Sequence, residues 1–515
     1  MKKYIMFSAS LALLLSWSGT AFAQNETDAL RYSRLGVSGS ARIQGIGGAQ
    51  TALGADISTM ISNPAGLGLF RRSEVSLSPG LQLRSTDANT NGFSSSEDHN
   101  VFTIPSAGVV ISNSGDNEDK DWKGINFGIS LNRINNFNQQ FSYSNTIQPP
   151  NTIVDYFAVQ ATGRTEADLD AEYGNYTTLA GLAYGNYLIN FFDEYGQATS
   201  YANPLYSVGD ISQQEEVQRR GSQNQIDIGI GTNYKDKVYL GASVGIITTD
   251  FTQESIFRES GHYIDQFDEN NEPILEGDYS LELRDEFTTR GNGINLRVGV
   301  IARPSDAVRI GASIQTPTAY TLTDQYQRTL YATTLNPETE QPENTSASEI
   351  PGEFSYNLTT PFRANGGVAV FIGKYGFVTA DIEYVDYSDN KFREDDEFGS
   401  TNSSYFTTVN NNISSLYKSA VNYKIGAEGR YEVFRFRAGY AINSNPYKNS
   451  SFDGKVNSFT LGAGFRLQNF YLDGAYVHST GESLYSPYTF SDGGEPVVGI
   501  KDKQSTVMFT LGYNF

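Results

Sequence analysis

Chemistry needs side chains that hold protons, metals or electron pairs, and this sequence supplies few of them. It contains three histidines, His99, His262 and His478, and no cysteine. Without cysteine there is no thiolate ligand, thiol nucleophile or disulfide. The one compact grouping suited to acid–base or nucleophilic work is His478 with Ser479, Thr480 and Glu482, and no nucleophile motif frames it. Acidic runs at Glu394-Asp395-Asp396-Glu397 and between Asp265 and Glu286 offer oxygen ligands for calcium but lack the spacing of a calcium-binding loop, so they read as solvated loop faces. Haem would need a His or Tyr axial ligand, and nothing singles one out among the 33 tyrosines. The expectation is a chain with no catalytic residue, no metal and no resident cofactor.

What remains is charge, and a repeating strand pattern positions it. From Glu74 onward, segments of about ten residues alternate apolar and polar with period two, as strands do when one face meets lipid and the other a polar interior. In the last, Val507, Phe509, Leu511, Tyr513 and Phe515 share one face and Thr506, Thr510, Gly512 and Asn514 the other. Phe459, Leu461, Ala463, Phe465 and Leu467 likewise oppose Ser458, Thr460, Gly462, Gly464 and Arg466. Strands are expected near 74–84, 101–112, 122–135, 223–234, 237–249, 291–303, 307–318, 361–372, 375–387, 417–431, 433–444, 456–467, 469–478 and 504–515. Short links alternate with long ones, the short at Ser114 to Asp121, Lys235-Asp236, Pro304-Ser305-Asp306, Gly373-Lys374, Glu432 and Gln468, and the long near 85–100, 136–222, 250–290, 319–360, 388–416, 445–455 and 479–503. A soluble sandwich has no reason to alternate in this way; a bacterial barrel with tight turns at one end does. The expected fold class is all-β, a transmembrane antiparallel barrel of about fourteen strands over residues 74–515.

The ends of the chain agree. Lys2 and Lys3, the apolar Ile5 to Leu15 and Ala21-Phe22-Ala23 read as a secretory signal peptide over 1–23. No later apolar run is long enough for a transmembrane helix, and the mean hydropathy is -0.40. The 50 Gly, 33 Tyr and 31 Phe instead suit close-packed barrel walls with aromatic girdles. A formal charge of -21 makes nucleic acid an unsuitable partner.

Strand parity directs particular charges inward: Arg297, Arg309, Arg363, Lys424, Arg430, Arg435, Arg437 and Arg466, with Asp227, Asp381, Glu383, Glu428 and Asp473. An acidic protein would thus enclose a mildly basic lumen, with Arg435 and Arg437 as candidate contacts for a carboxylate head. Buried charges in a barrel must be paired in any case, so each also reads as a structural ion pair.

Ahead of the strands, Arg42 to Asp56 is too Gly-rich for one helix and too apolar to stand free in water, and it leads to Asn63-Pro64-Ala65-Gly66-Leu67. Pro64 biases Asn63 toward extended backbone and Gly66 permits a bend into the first strand. Together with Gly47-Gly48-Ala49 and Thr51-Ala52-Leu53-Gly54, this stretch resembles the hatch of FadL-type outer-membrane transporters of long-chain fatty acids and other hydrophobic compounds. The local resemblance covers roughly residues 29 to 83. It implies that residues 24–73 form an N-terminal hatch inside a fourteen-stranded barrel and that Asn63, Pro64, Ala65, Gly66 and Leu67 belong to a gate that moves when an apolar ligand passes. A hatch of small residues is expected to pack with few directional bonds and to move at little cost. Pro79 and Pro105 are candidates for a break in the wall.

The implied setting is the Gram-negative outer membrane, with membrane lipids and lipopolysaccharide around the barrel. The terminal Phe515 resembles the signal read by the outer-membrane assembly machinery. The largest insert, 136–222, has helical stretches at Arg164 to Glu172 and Leu179 to Phe192. Its apolar residues, Leu182, Phe191 and Phe192 among them, either line an external groove for ligand or form a small loop core. Passive uptake of hydrophobic molecules, fatty acids first among them, is the leading expectation. The alternative is a surface binding protein or adhesin, or a receptor for another apolar ligand such as haem, working through its long loops.

Overall fold

In lipid every backbone N–H and C=O must find a partner within the protein, so a sheet can cross a membrane only if it closes on itself. The computed structural model describes residues 26–113, 121–193, 195–268, 270, 272–336, 339–395, 403–449, 452–490 and 493–515. The expected signal segment, most of the link from Ser114 to Asp121, and Asp396-Glu397 lie outside them. Fourteen strands make the closed barrel. They are β1 Glu74–Thr90, β2 Phe93–Asn113, β3 Trp122–Asn136, β4 Tyr206–Tyr234, β5 Val238–Phe267, β6 Pro273–Ser305, β7 Val308–Gln315, β8 Arg363–Phe371, β9 Gly376–Asp386, β10 Ser419–Tyr431, β11 Phe434–Asn443, β12 Val456–Leu467, β13 Phe470–Tyr485 and β14 Val498–Asn514. Each pairs antiparallel with the next, and β14 returns to β1 with Glu74 opposite Asn514 and Asn89 opposite Gly499. Ser73 and Phe515 finish the seam by exchanging backbone hydrogen bonds of 3.2 and 2.9 Å.

The faces follow the alternation. Phe127, Ile129, Phe459, Leu461, Phe509 and Leu511 point outward and are exposed, while Ser130, Asn132, Thr460 and Thr510 are buried inside. An exposed apolar band running round the cylinder is a lipid contact surface.

Several strands run far beyond the expected bounds. β5 has 30 residues, roughly 100 Å along the strand, against a hydrocarbon core of about 30 Å. The expected loop 250–290 is therefore a continuous ribbon, with Asp250 opposite Arg290 and His262 opposite Asp278. Much of 319–360 is likewise paired strand. The alternation does not stop there; it inverts. Leu240 and Ile246 face lipid on β5, whereas the same face carries Thr248, Asp250 and Glu254 further out, and the inner face changes from Ser243 and Gly245 to Ile247, Phe251 and Phe257. Outside the membrane water lies on the outer face and an apolar cap fills the inner one, so the apolar phase shifts by one residue.

Residues of the 136–222 insert supply that cap. Gln139–Ile147 pairs with β4, and helices span Ile153–Gln160, Glu166–Asp170 and Leu179–Gly185. The segment expected to stay helical through Phe192 breaks at Tyr187, where φ is +60°, and continues as a hairpin of Ile189–Phe192 with Ala198–Pro204. Leu182 and Phe191 are buried in the cap core with Phe257, Tyr279 and Leu281, and only Phe192 of the three candidates is exposed.

One acid lies inside this core. Glu259 accepts hydrogen bonds from the Ile153 backbone N–H at 3.0 Å, Gln213 Nε2 at 2.7 Å and the Tyr279 hydroxyl at 2.9 Å. Burial raises its pKa to about 7. A carboxyl whose folded pKa lies above its ordinary value adds most stability below that ordinary value, and the contribution is lost as pH rises through about 7. Hydrogen-exchange protection of residues 153–160 is therefore expected to fall, on the order of tenfold, from pH 5 to pH 8. Glu259→Gln should flatten that dependence.

Candidate functional site

The segment ahead of β1, called the hatch for its position alone, fills the barrel through short turns, each closed by its own side chains. Ser40 caps the turn Ala41–Gln44 and donates to Asp56 Oδ2 at 2.7 Å. Asp56 in turn caps Ile57–Ile61 by accepting from the Ser58 backbone N–H at 3.1 Å. Asn63 is extended, at φ -142° and ψ 99°, and caps Pro64–Leu69 by accepting from the Ala65 N–H at 3.1 Å. Gly66 does not make the expected bend. It lies inside this 3-10 turn, where a Cβ would approach Gly54 Cα to 2.9 Å, so what it permits is close packing of two hatch segments.

The hatch is also tied to the wall on all sides, which overturns the expectation of few directional bonds. Asn63 Nδ2 donates to Thr51 O at 2.7 Å within the hatch and to Val300 O at 3.1 Å on β6. Arg297 donates to Met60 O at 2.5 Å, Arg309 to Leu53 O at 2.7 Å, Ser313 to Ser62 O at 2.5 Å and Asn126 to Leu67 O at 2.7 Å. Asp381 accepts from the Thr51 N–H at 2.8 Å. The backbones also meet closely: a Cβ on Gly241 would lie 2.5 Å from Ala65 N, and one on Gly231 2.5 Å from Leu67 Cβ.

The inward charges are where parity put them, and most are committed. Arg363 pairs with Glu383 at 2.9 Å and donates to Ser33 O. Arg437 is fully buried between Glu428 and Asp473, each at 2.8 Å. The mild basic excess is largely taken up by hatch carbonyls. Of the two candidate head-group contacts, Arg437 is bound into this network and Arg435 faces water at the end with the tight turns.

A different set of arginines lines the open space. Above the hatch lies a chamber of about 380 Å³, bounded by Leu30, Arg34, Arg84, Arg133, Phe137, Arg219 and Phe251 among others. Arg84 is paired bidentately with Asp502 at 2.6 and 2.8 Å. Arg34, Arg133 and Arg219 have neutral partners: Gly454 O at 2.6 Å, Thr103 Oγ1 at 2.7 Å, and Gln253 Oε1 at 2.8 Å, respectively. Among the described residues none of the three has a carboxylate within 4.0 Å. Neither Arg34 nor Arg219 lies on an expected strand. Arg133 keeps the outward parity of β3, opposite Asn224, and reaches the chamber from beside β2, where it meets Thr103.

Beside the chamber the wall comes apart. β2 and β3 pair only from Asn113 opposite Ile125 to Ser106 opposite Asn132. Beyond that level β2 stays with β1, and β3 stays with β4 through Asn136 opposite Ser222. Further out the two sides rejoin through Ser142 to Glu97 at 2.9 Å and Asn91 to Asn145 at 2.8 Å. Pro105 sits at the lower edge of this gap, where it has no N–H to offer β3. Pro79 shifts the β1 register with β2, and pairing resumes on both sides of it. Of the histidines, His478 bonds Ser505 Oγ at 2.9 Å and His262 lies by Asp278 at 3.0 Å on the outer ribbon. The described residues contain no metal-binding group of His, Cys, Asp and Glu.

Asn63→Ala removes three hydrogen bonds, two inside the hatch and one to Val300 O on β6, and leaves the Thr51 carbonyl without its Asn63 donor. The cost, about 2–4 kcal/mol, falls on hatch docking. The variant barrel should keep its heat-modifiable migration in gels while its single-channel conductance in planar bilayers rises. Gly241→Ala should act in the same direction by displacing Pro64 and Ala65.

No family model and no curated protein sequence matches the chain. Among solved structures, a Pseudomonas aeruginosa FadL homologue is similar at 14% identity and a TM-score of 0.55, over 94% of this chain and 100% of that one. The P. putida toluene transporter TodX aligns at 14% identity and TM-score 0.49, over 93% and 99% of the two chains. The Ralstonia pickettii toluene transporter TbuX aligns at 17% and 0.47, over 93% and 99%. The fold likeness rests on the first of these. With its lipid-facing band and its inner segment, the chain has the fold of the FadL-type outer-membrane β-barrels.

Proposed function

We propose that this protein is an outer-membrane channel for passive uptake of hydrophobic small molecules, long-chain fatty acids first among them, with residues 24–73 as its gate. The observation that carries the reading is the conjunction of the chamber with the gap between β2 and β3. An apolar solute held above a closed hatch has a way out through the wall that avoids water. Leu30, Phe137 and Phe251 suit a hydrocarbon chain, and Arg34, Arg133 and Arg219, which lack carboxylate partners, suit a carboxylate head. The fold likeness to a FadL homologue supports the same reading. Asn63, Pro64, Ala65, Gly66 and Leu67 act in it as the anchor of the gate, held until ligand shifts the segment above them. Of the other candidate contacts, Arg435 belongs to the far mouth, Arg437 to the luminal ion network, and Leu182, Phe191 and Phe192 to the cap.

The test is uptake of labelled oleate by cells that lack their own fatty-acid channel, with and without this protein. Uptake only with the protein supports the channel; no uptake favours a shut barrel that works through its surface. The charge reading is tested separately. Arg133→Gln with Arg219→Gln should lower oleate uptake about tenfold and leave a neutral hydrocarbon such as dodecane unaffected.

A further inference from the structure

At the end with the tight turns, where the hatch meets the wall, arginines crowd together. A water-facing pocket of about 440 Å³ is lined by Arg42 from the hatch and by Arg430, Arg435 and Arg466 from β10, β11 and β12. Glu428 accepts from Arg430 Nε at 2.8 Å and from Arg437 Nε at 2.8 Å, with Arg42 Nε at 3.8 Å. Asp473 accepts from Arg437 Nη1 and Arg466 Nη2, both at 2.8 Å. Two carboxylates thus serve four guanidinium groups; Asp56 lies 4.0 Å from Arg42, and Glu74, which also lines the pocket, accepts from the Tyr471 hydroxyl at 2.7 Å and bonds none of the arginines among the described residues.

Arg435 stands outside these pairs. Its Nη1 donates to the carbonyls of Glu432 at 2.7 Å and Phe434 at 2.8 Å, which fixes the side chain and leaves its charge uncompensated. Arg466 Nη1 is buried with no acceptor among the described residues. Guanidinium groups held this close repel one another, and a planar or tetrahedral oxyanion matches their paired donors. We propose that this pocket is a binding site for an oxyanion group, a carboxylate or a phosphate, in which Arg435 makes the principal contact. The site sits on the seam between Arg42 and Glu428, so an occupant competes with Glu428 for the hatch. It stands independently of the cargo assigned to the chamber.

The experiment is calorimetric titration of the full-length protein in neutral detergent with two probes, sodium butyrate for a free carboxylate and dihexanoyl phosphatidylglycerol for a lipid headgroup. Among the described residues Arg435 bonds only to its own turn, so Arg435→Gln should keep the barrel, checked by heat-modifiable migration. Saturable binding of either probe, weakened about tenfold or more in Arg435→Gln and reduced by salt, is the expected result. Butyrate binding identifies carboxylate solutes as the occupant, and binding of the lipid alone identifies the membrane headgroup. Binding of neither probe, or binding that is equal in Arg435→Gln, overturns the proposal.

Discussion

Everything in this molecule answers to one constraint: a backbone amide inside a bilayer has no water to turn to. The ladder from β1 round to β14 meets it, and the exchange between Ser73 and Phe515 completes it with the last residues of the chain. Against that continuity the parting of β2 from β3 stands out. Polar side chains come in at that lapse, with Arg133 reaching Thr103 on one side and Asn224 on the other. A break in a lipid-facing sheet is costly unless such groups cover it.

A cylinder of this many strands is too wide for side chains alone to fill. Here the chain's own head occupies the space, and its irregular turns bring carbonyls that must also be satisfied. The wall arginines are arranged for that need. Arg297, Arg309 and Arg363 each place a guanidinium against a hatch carbonyl. The interior polar network therefore holds the hatch as much as it sets the character of the passage.

Period-two alternation made the fourteen strands legible, because lipid on one face and a packed lumen on the other act on every residue of a membrane segment. The inward charges on those strands could be read for the same reason. The outer half could not, because the apolar face changes sides near Ile247 and a scan for lipid-facing residues sees only polar ones. The helix Ile153–Gln160 did carry a local signal, the capping box of Thr152 and Asp155, which short-range reading can use. The chamber arginines were hidden for separate reasons. Arg34 belongs to the hatch, Arg219 to a stretch that looked like loop, and Arg133 to the outward face of its strand, from which the parting of β2 and β3 lets it reach the chamber. Gly66 shows the limit of motif reading, since its role depends on Gly54, twelve positions earlier in the chain.

The threading of the chain bears on how it is built. The hatch runs without interruption into β1, and β1 is sealed by β14, so a sheet that curls around the head before the two terminal strands zip together seats it without passing it through a finished ring. Closing first would leave that segment to thread in past the wall arginines and the close backbone contacts, a more obstructed route to the same place. The first strand and the filling of the cylinder are one continuous piece of chain, and the seam holds both.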